Sequence, residues 1–323
     1  MTEPSIFCID WLENNLPDGS ANLIIADPPY YRVKGDFDFG FESFESYLDL
    51  VKLWAKECAR ILKKNGTLFW YGDSLKIAYS QIILDEFFNL ENALVWNKGS
   101  FLGLQYSEDL RKFAPCTERV LMYSNSVLNL KETLMVTRDY LRAEVLKSKG
   151  RINYTEINKI LGTATNGGGV SNTYLSLLKS SPTMITEEHY IKLKKWCKPH
   201  LKKTYKEVRD EYEKARAFYE TTRRPFNNFL NLQEVLNFSN EAVKVGAKYD
   251  HETVKPETLT RALIKTTSKP GDVLVVPFAG SGTEVAMGVR EGLKVYGYEI
   301  VPKYYNITKK RTEKIIKTPE LFN

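Results

Sequence analysis

Four consecutive residues, Asp27-Pro28-Pro29-Tyr30, place an acid, a rigid turn and a flat aromatic face within reach of one another. They follow the apolar run Leu23-Ile24-Ile25-Ala26, which reads as a buried parallel strand with a carboxylate at its C-terminal end. In open α/β sheets that end is where ligands bind. The two prolines fix φ and remove their own N–H groups, so the chain leaves the strand stiff and presents carbonyl acceptors. Acceptors beside an aromatic ring suit a planar group that carries an exocyclic amine.

A second constellation lies far along the chain. Asp272-Val273-Leu274-Val275-Val276 has strand character, and Pro277-Phe278-Ala279-Gly280-Ser281-Gly282-Thr283 follows it. The next residues, 284–290, have helical spacing. A strand, a glycine turn and a helix bring a ligand close to backbone at a helix N-terminus. Another strand, 294–298, ends in Glu299, 17 positions after Gly282. In dinucleotide folds an acid at roughly 20 residues' spacing meets ribose hydroxyls. The three-glycine nucleotide fingerprint is not met, because position 285 is Val.

These groups need a frame. The pattern predicts a strand over 21–27, a helix over 43–62, a strand over 67–71 and a helix over 74–87. Strands near 93–96 and 119–123 are close enough in sequence to pair antiparallel. A helix over 256–267 leads into the strand of the glycine turn. Alternation of strands and helices at these lengths predicts an α/β fold, a doubly wound and mostly parallel sheet. The polar stretch 31–36 is predicted to be a loop able to close over a bound ligand.

The pairing of DPPY with a later FAGSGT resembles the S-adenosylmethionine-dependent amino-methyltransferases of DNA, in the permuted order of their β class. Residues 8–12, 16–20, 59–68 and 251–256 resemble further family segments. The likeness spans about 5–125 and 236–317. It departs at Val276, where an acid is common, and at Val254, where Gln is common. The resemblance implies a Rossmann-like methyltransferase fold in three parts: a catalytic half (1–130), a mainly helical target-recognition insert (131–235) and a cofactor-binding half (236–323).

It further implies S-adenosyl-L-methionine as cofactor, with Phe278, Gly280, Ser281, Gly282 and Thr283 on its methionine side and Glu299 at the ribose. Asp10 would meet its adenine amine and Lys255 its carboxylate, with Asp27 bordering both cofactor and target. Asp27, Pro28, Pro29 and Tyr30 would form the catalytic group, with no metal. DPPY favours adenine N6 as target. Cytosine N4, an RNA or protein substrate, and a catalytically silent nucleic-acid-binding subunit are the alternatives. The implied partners are double-stranded DNA, a second copy of the chain and a cognate restriction endonuclease.

Charge supports a polyanionic partner. Of 46 Lys and Arg and 40 Asp and Glu, residues 138–224 hold 19 and 10, so the rest of the chain carries 27 basic against 30 acidic groups. The whole positive excess sits in the segment that the motifs skip, the footprint expected of nucleic-acid binding. Within it, helices are predicted over 151–162 (with Thr155 as cap), over 171–179 and from Thr186. They are separated by the Gly167-Gly168-Gly169 turn and suggest a helix-turn-helix-like unit. Tyr205, Val208, Tyr212, Ala215 and Tyr219 form one apolar seam on a longer helix ended by Pro225, suited to packing or self-association. Four scattered cysteines without a CxxC pair argue against structural zinc and disulfides. With no apolar run near the ~20 residues of a membrane span, and no basic-apolar leader after Met1, a soluble cytoplasmic protein is expected.

Overall fold

The computed structural model describes residues 3–33, 38, 40–99, 116–125, 135–166, 169–177, 183–239 and 254–317. It divides into two compact units, one formed by 1–127 with 224–323 and the other by Leu128–Arg223. The second unit ends at Arg223, before the boundary expected at 235. Residues beyond that point join the first unit: the Asn227 N–H donates to the Thr266 carbonyl, and Arg224 pairs with Glu91.

Among the described residues the first unit holds eight strands: β1 (Ser5–Phe7), β2 (Ala21–Ala26), β3 (Leu62–Gly72), β4 (Asn89–Asn97), β5 (Thr117–Ser124), β6 (Val235–Asn237), β7 (Val273–Val276) and β8 (Lys294–Tyr298). Their order across the sheet is β1-β8-β7-β2-β3-β5-β4-β6. Only β5 runs against the others, antiparallel to both β3 and β4. The predicted antiparallel pair is therefore present, while the outer edge beyond it is the short β6, parallel to β4. The sheet is doubly wound and mostly parallel, as expected.

Strand alternation explains the two layers. Ile24, Ala26, Leu68 and Trp70 point to one face, and Leu23, Ile25, Phe69 and Tyr71 to the other. Each large apolar side chain so buried contributes roughly 1.5–3 kcal/mol. Helix α1 (Phe44–Ile61) covers the first face through Tyr47, Val51, Trp54, Cys58 and Ile61. Ser43 starts it with a reciprocal capping box to Ser46. It stops where Leu62 turns extended and enters β3 directly, so that strand begins five residues earlier than predicted. Helix α2 (Ile77–Leu84) is shorter than the predicted 74–87, since turns occupy its flanks.

The second unit is helical: α3 (Val136–Lys149), α4 (Tyr154–Leu161), α5 (Ser171–Leu175), α6 (Glu187–Trp196) and α7 (Tyr205–Thr222). Its core gathers Leu141, Val145, Ile157, Leu161, Leu193, Cys197 and Val208. Asn153, not Thr155, caps α4, because its side chain reaches the Glu156 N–H. Of the predicted seam on α7, Val208 is buried and Tyr205 packs beside it, whereas Tyr212, Ala215 and Tyr219 are half-buried. Gly167, Gly168, residues 178–179, residues 34–36 of the loop 31–36 and the segment 251–253 lie outside the described residues. No described helix is long and apolar enough to cross a membrane.

Helices α8 (Glu257–Thr267), α9 (Thr283–Arg290) and α10 (Pro302–Lys317) complete the first unit. Their apolar residues Leu259, Leu263, Val285, Val289, Ile315 and Ile316 cover the second face of the sheet.

Candidate active site

Strand β2 ends at Ala26, and Asp27 emerges from the C-terminal edge with its side chain one-fifth exposed. Its Oδ1 accepts the Tyr30 hydroxyl at 2.6 Å, and its Oδ2 accepts the Lys255 ammonium at 2.6 Å. Pro28 is buried and Pro29 half-buried between these two residues. The turn is tied from outside by Asp38, whose side chain accepts the Tyr30 N–H and whose carbonyl accepts the Arg32 N–H. Burial foremost, then the Asp27 charge, raises the Tyr30 phenol well above its ordinary range, so it stays a neutral donor.

The glycine turn follows β7. Gly282, with φ at +77°, caps the N-terminus of α9. A methyl group there would meet the Thr308 backbone at 2.8 Å, which is why this position has no side chain. Thr308 Oγ1 donates to the Gly280 carbonyl, and Arg311 donates to the Ser281 carbonyl and to Thr283 Oγ1. Helix α10, not anticipated from the sequence, thus holds the turn from behind. Phe278 meets Trp54 of α1 edge to face at 5.0 Å.

Glu299 follows β8 and is 8% exposed. Its two oxygens accept the N–H groups of Gly280 and Val301 at 2.7 and 2.9 Å. Each oxygen keeps a further lone pair. Burial raises this acid above its ordinary range. The Glu299 N–H donates to the Phe7 carbonyl of β1, and Asp10 lies three residues beyond, capping a short turn at Leu12. Asp10, Asp27, the glycine turn and Glu299 therefore follow the C-terminal ends of four parallel strands adjacent in the sheet, β1, β2, β7 and β8.

Lys255 joins the halves. Thr283 Oγ1 donates to its carbonyl at 3.3 Å, while its ammonium, 5% exposed, reaches Asp27. It also lies 3.4 Å from Glu118, which pairs in turn with Lys98. The sequence reading aimed Lys255 at a cofactor carboxylate; in the structure it engages two carboxylates of the chain itself. Burial acts to lower its affinity for a proton, but Asp27 and Glu118 together outweigh it and the net shift is upward. Glu284, in the first turn of α9, is the other buried acid here. Burial first, and Asp27 second, push it up to about 7. Its Oε1 finds no hydrogen-bond donor among the described residues.

Glu118, Glu284, Asp38 and Arg311 were missed from sequence. A charged residue inside an otherwise apolar strand or helix, as at 118 and 284, was the available signal. Among the described residues no group of three or more His, Cys, Asp or Glu side chains is arranged to hold a metal.

The sheet order defines a Rossmann-like α/β protein, a fold in which ligands bind outside the C-terminal ends of the strands. Residues 21–310 match the N6_N4_Mtase family, DNA methylase, and the chain belongs to that family. It is a DNA methyltransferase. It is 25% identical to the type II methyltransferase M.HinfI of Haemophilus influenzae, over 97% of this chain and 68% of that protein. It is 24% identical to the DNA adenine methyltransferase YhdJ of Escherichia coli (strain K12), over 92% of this chain and 78% of that one. Among solved structures, the M1.HpyAVI–SAM complex aligns with a TM-score of 0.54 at 16% identity, covering 96% of this chain and 98% of the other. The cytosine-N4-specific PvuII DNA methyltransferase aligns with the same score and identity, over 98% and 91%.

Proposed function

We propose that the chain is a site-specific methyltransferase of the permuted β class that moves a methyl group from S-adenosyl-L-methionine to adenine N6. One observation carries this reading: Asp27, the glycine turn and Glu299 follow adjacent strand ends, bridged by Lys255 and by the Glu299–Gly280 bond. The donor set suits that cofactor. Asp10 and Glu299 offer carboxylate acceptors for an adenine amine and for ribose hydroxyls, and Phe278, Gly280, Ser281, Gly282 and Thr283 border the methionine side. When bound, the cofactor supplies an activated methyl and its own leaving group.

The chain's residues act on the target. The adenine N6 lone pair is delocalised into the ring and is a poor nucleophile. Asp27 and the Pro28 carbonyl accept hydrogen bonds from the two amine hydrogens, draw the nitrogen toward tetrahedral geometry and aim its lone pair at the methyl. Tyr30 stacks on the base, a contact worth about 1–3 kcal/mol. Positioning and acceptor placement supply most of the acceleration. The amine lies inside the duplex, so the nucleotide is flipped out to reach this pocket. The basic unit Leu128–Arg223 holds the DNA backbone. A cytoplasmic setting, in which the four free thiols stay reduced, fits this work.

Mass spectrometry of nucleosides from DNA treated with protein and labelled cofactor tests the proposal. N6-methyladenine is expected, and N4-methylcytosine as the sole product would replace adenine by cytosine. Asp27→Ala is expected to abolish transfer while cofactor and DNA still bind; undiminished activity would remove Asp27 from its assigned role.

A further inference from the structure

Lys255 is anchored twice. Its carbonyl is bonded by Thr283 at the start of α9, and its ammonium sits on Asp27 Oδ2, between the rings of Tyr71 at 4.9 Å and Tyr30 at 5.7 Å. Glu118 of β5 lies 3.4 Å from the same ammonium and pairs in turn with Lys98. Such a charge-assisted bond, shielded from water, is strong and directional. Asp27 Oδ1, which accepts the Tyr30 hydroxyl, keeps a further lone pair for an incoming donor.

We infer that Lys255, steadied by Glu118, is a positioning residue for methyl transfer: it fixes the Asp27 carboxylate in the orientation that receives the target amine, and links that orientation to the glycine turn. The inference rests on Asp27 being the acceptor of the amine, as proposed above. Among the described residues the groups around Asp27 are Lys255 ahead of α8, Tyr30 in its own turn, Tyr71 on β3, Glu118 on β5 and Glu284 on α9, and Lys255 is the cation of that set.

The test compares Lys255→Met, Lys255→Arg and Glu118→Gln in the full chain. Single-turnover methylation of DNA is followed at saturating S-adenosylmethionine, and cofactor affinity is measured separately. Lys255→Met is expected to slow transfer by about 10²–10³-fold, the range for loss of one preorganised active-site donor. Its cofactor affinity should stay within about threefold. Lys255→Arg should recover much of the lost rate. Glu118→Gln should slow transfer by about tenfold, the effect of a loosened charge-assisted bond. A Lys255→Met protein with normal saturated rate and weakened cofactor binding would overturn the inference and assign Lys255 to the cofactor carboxylate. If Lys255→Met does not fold, an unchanged rate in Glu118→Gln overturns it. Wild-type protein that transfers no methyl to DNA would remove the reading of the site, and this inference with it.

Discussion

Replacing Gly282 by Ala probes the glycine turn through two separable costs. The first is conformational: at φ +77° an L side chain sits in the left-handed region, at roughly 1–2 kcal/mol. The second is steric. The added methyl would stand 2.8 Å from Thr308 Cα and 2.9 Å from its Cγ2 and Oγ1, and the backbone of α10 cannot swing aside as a side-chain tip would. Overpacking of that kind costs about 1–3 kcal/mol. Together they predict a loss of about 2–5 kcal/mol. Gly271 is the control: its φ is +87°, and an added methyl meets nothing within 4 Å. Gly271→Ala should therefore lose only the conformational part. Urea unfolding followed by tryptophan fluorescence is the assay, since Trp11, Trp54, Trp70 and Trp96 all report on the first unit. Equal midpoints for the two variants would refute the claim that α10 closes the back of the turn.

Other expectations rest on burial and charge. Glu284 gives a pH signature. Its carboxyl holds a proton up to about 7 when folded, against 4.5 ordinarily, so the folded state binds more protons between those values and stability falls as pH rises through the window. The loss amounts to about 3 kcal/mol and is complete above pH 7. Glu284→Gln should flatten the stability profile from pH 4.5 to 7, and an unaltered profile would contradict the assignment. Glu299→Ala removes an acceptor from the Gly280 and Val301 N–H groups as well as from the proposed ribose contact. It should weaken cofactor binding about 10- to 100-fold by calorimetry, in line with hydrogen bonds to charged groups. Leu193→Ala, in the core of the helical unit, should cost about 2–5 kcal/mol. Its effect should appear at Trp196, with the four tryptophans of the other unit unmoved.

Legibility from sequence followed how local each signal was. Helix α1 could be read because its buried residues repeat at helical spacing and Ser43 caps it in place. Strands β2, β7 and β8 could be read because their apolar runs end in turn residues or an acid. Strands β1 and β6 have three residues each and one buried side chain between them, too little for a period to appear. Residues 63–66 look like a turn, yet β3 takes them up at a register shift opposite β2. The acid, the glycine turn and Glu299 were recognisable as separate pieces. What the sequence did not disclose was the partner of Lys255, because that ion pair joins residues 228 positions apart. Contacts of that range depend on strand order, and local pattern does not encode strand order.

The middle of the sheet also sets a timetable. Strand β2 pairs with β7, and Asn22 Oδ1 accepts the Val273 N–H across 251 residues of chain. At a synthesis rate of about 5–20 residues per second, the open flank of β2 waits roughly 10–50 s for its neighbour to leave the ribosome. The contiguous helical unit needs no such delay, because its core comes from one uninterrupted stretch. Nascent chains should thus pass through a stage in which that unit is folded while Leu23 and Ile25 remain uncovered. During that stage the protein is most exposed to aggregation and most dependent on chaperones.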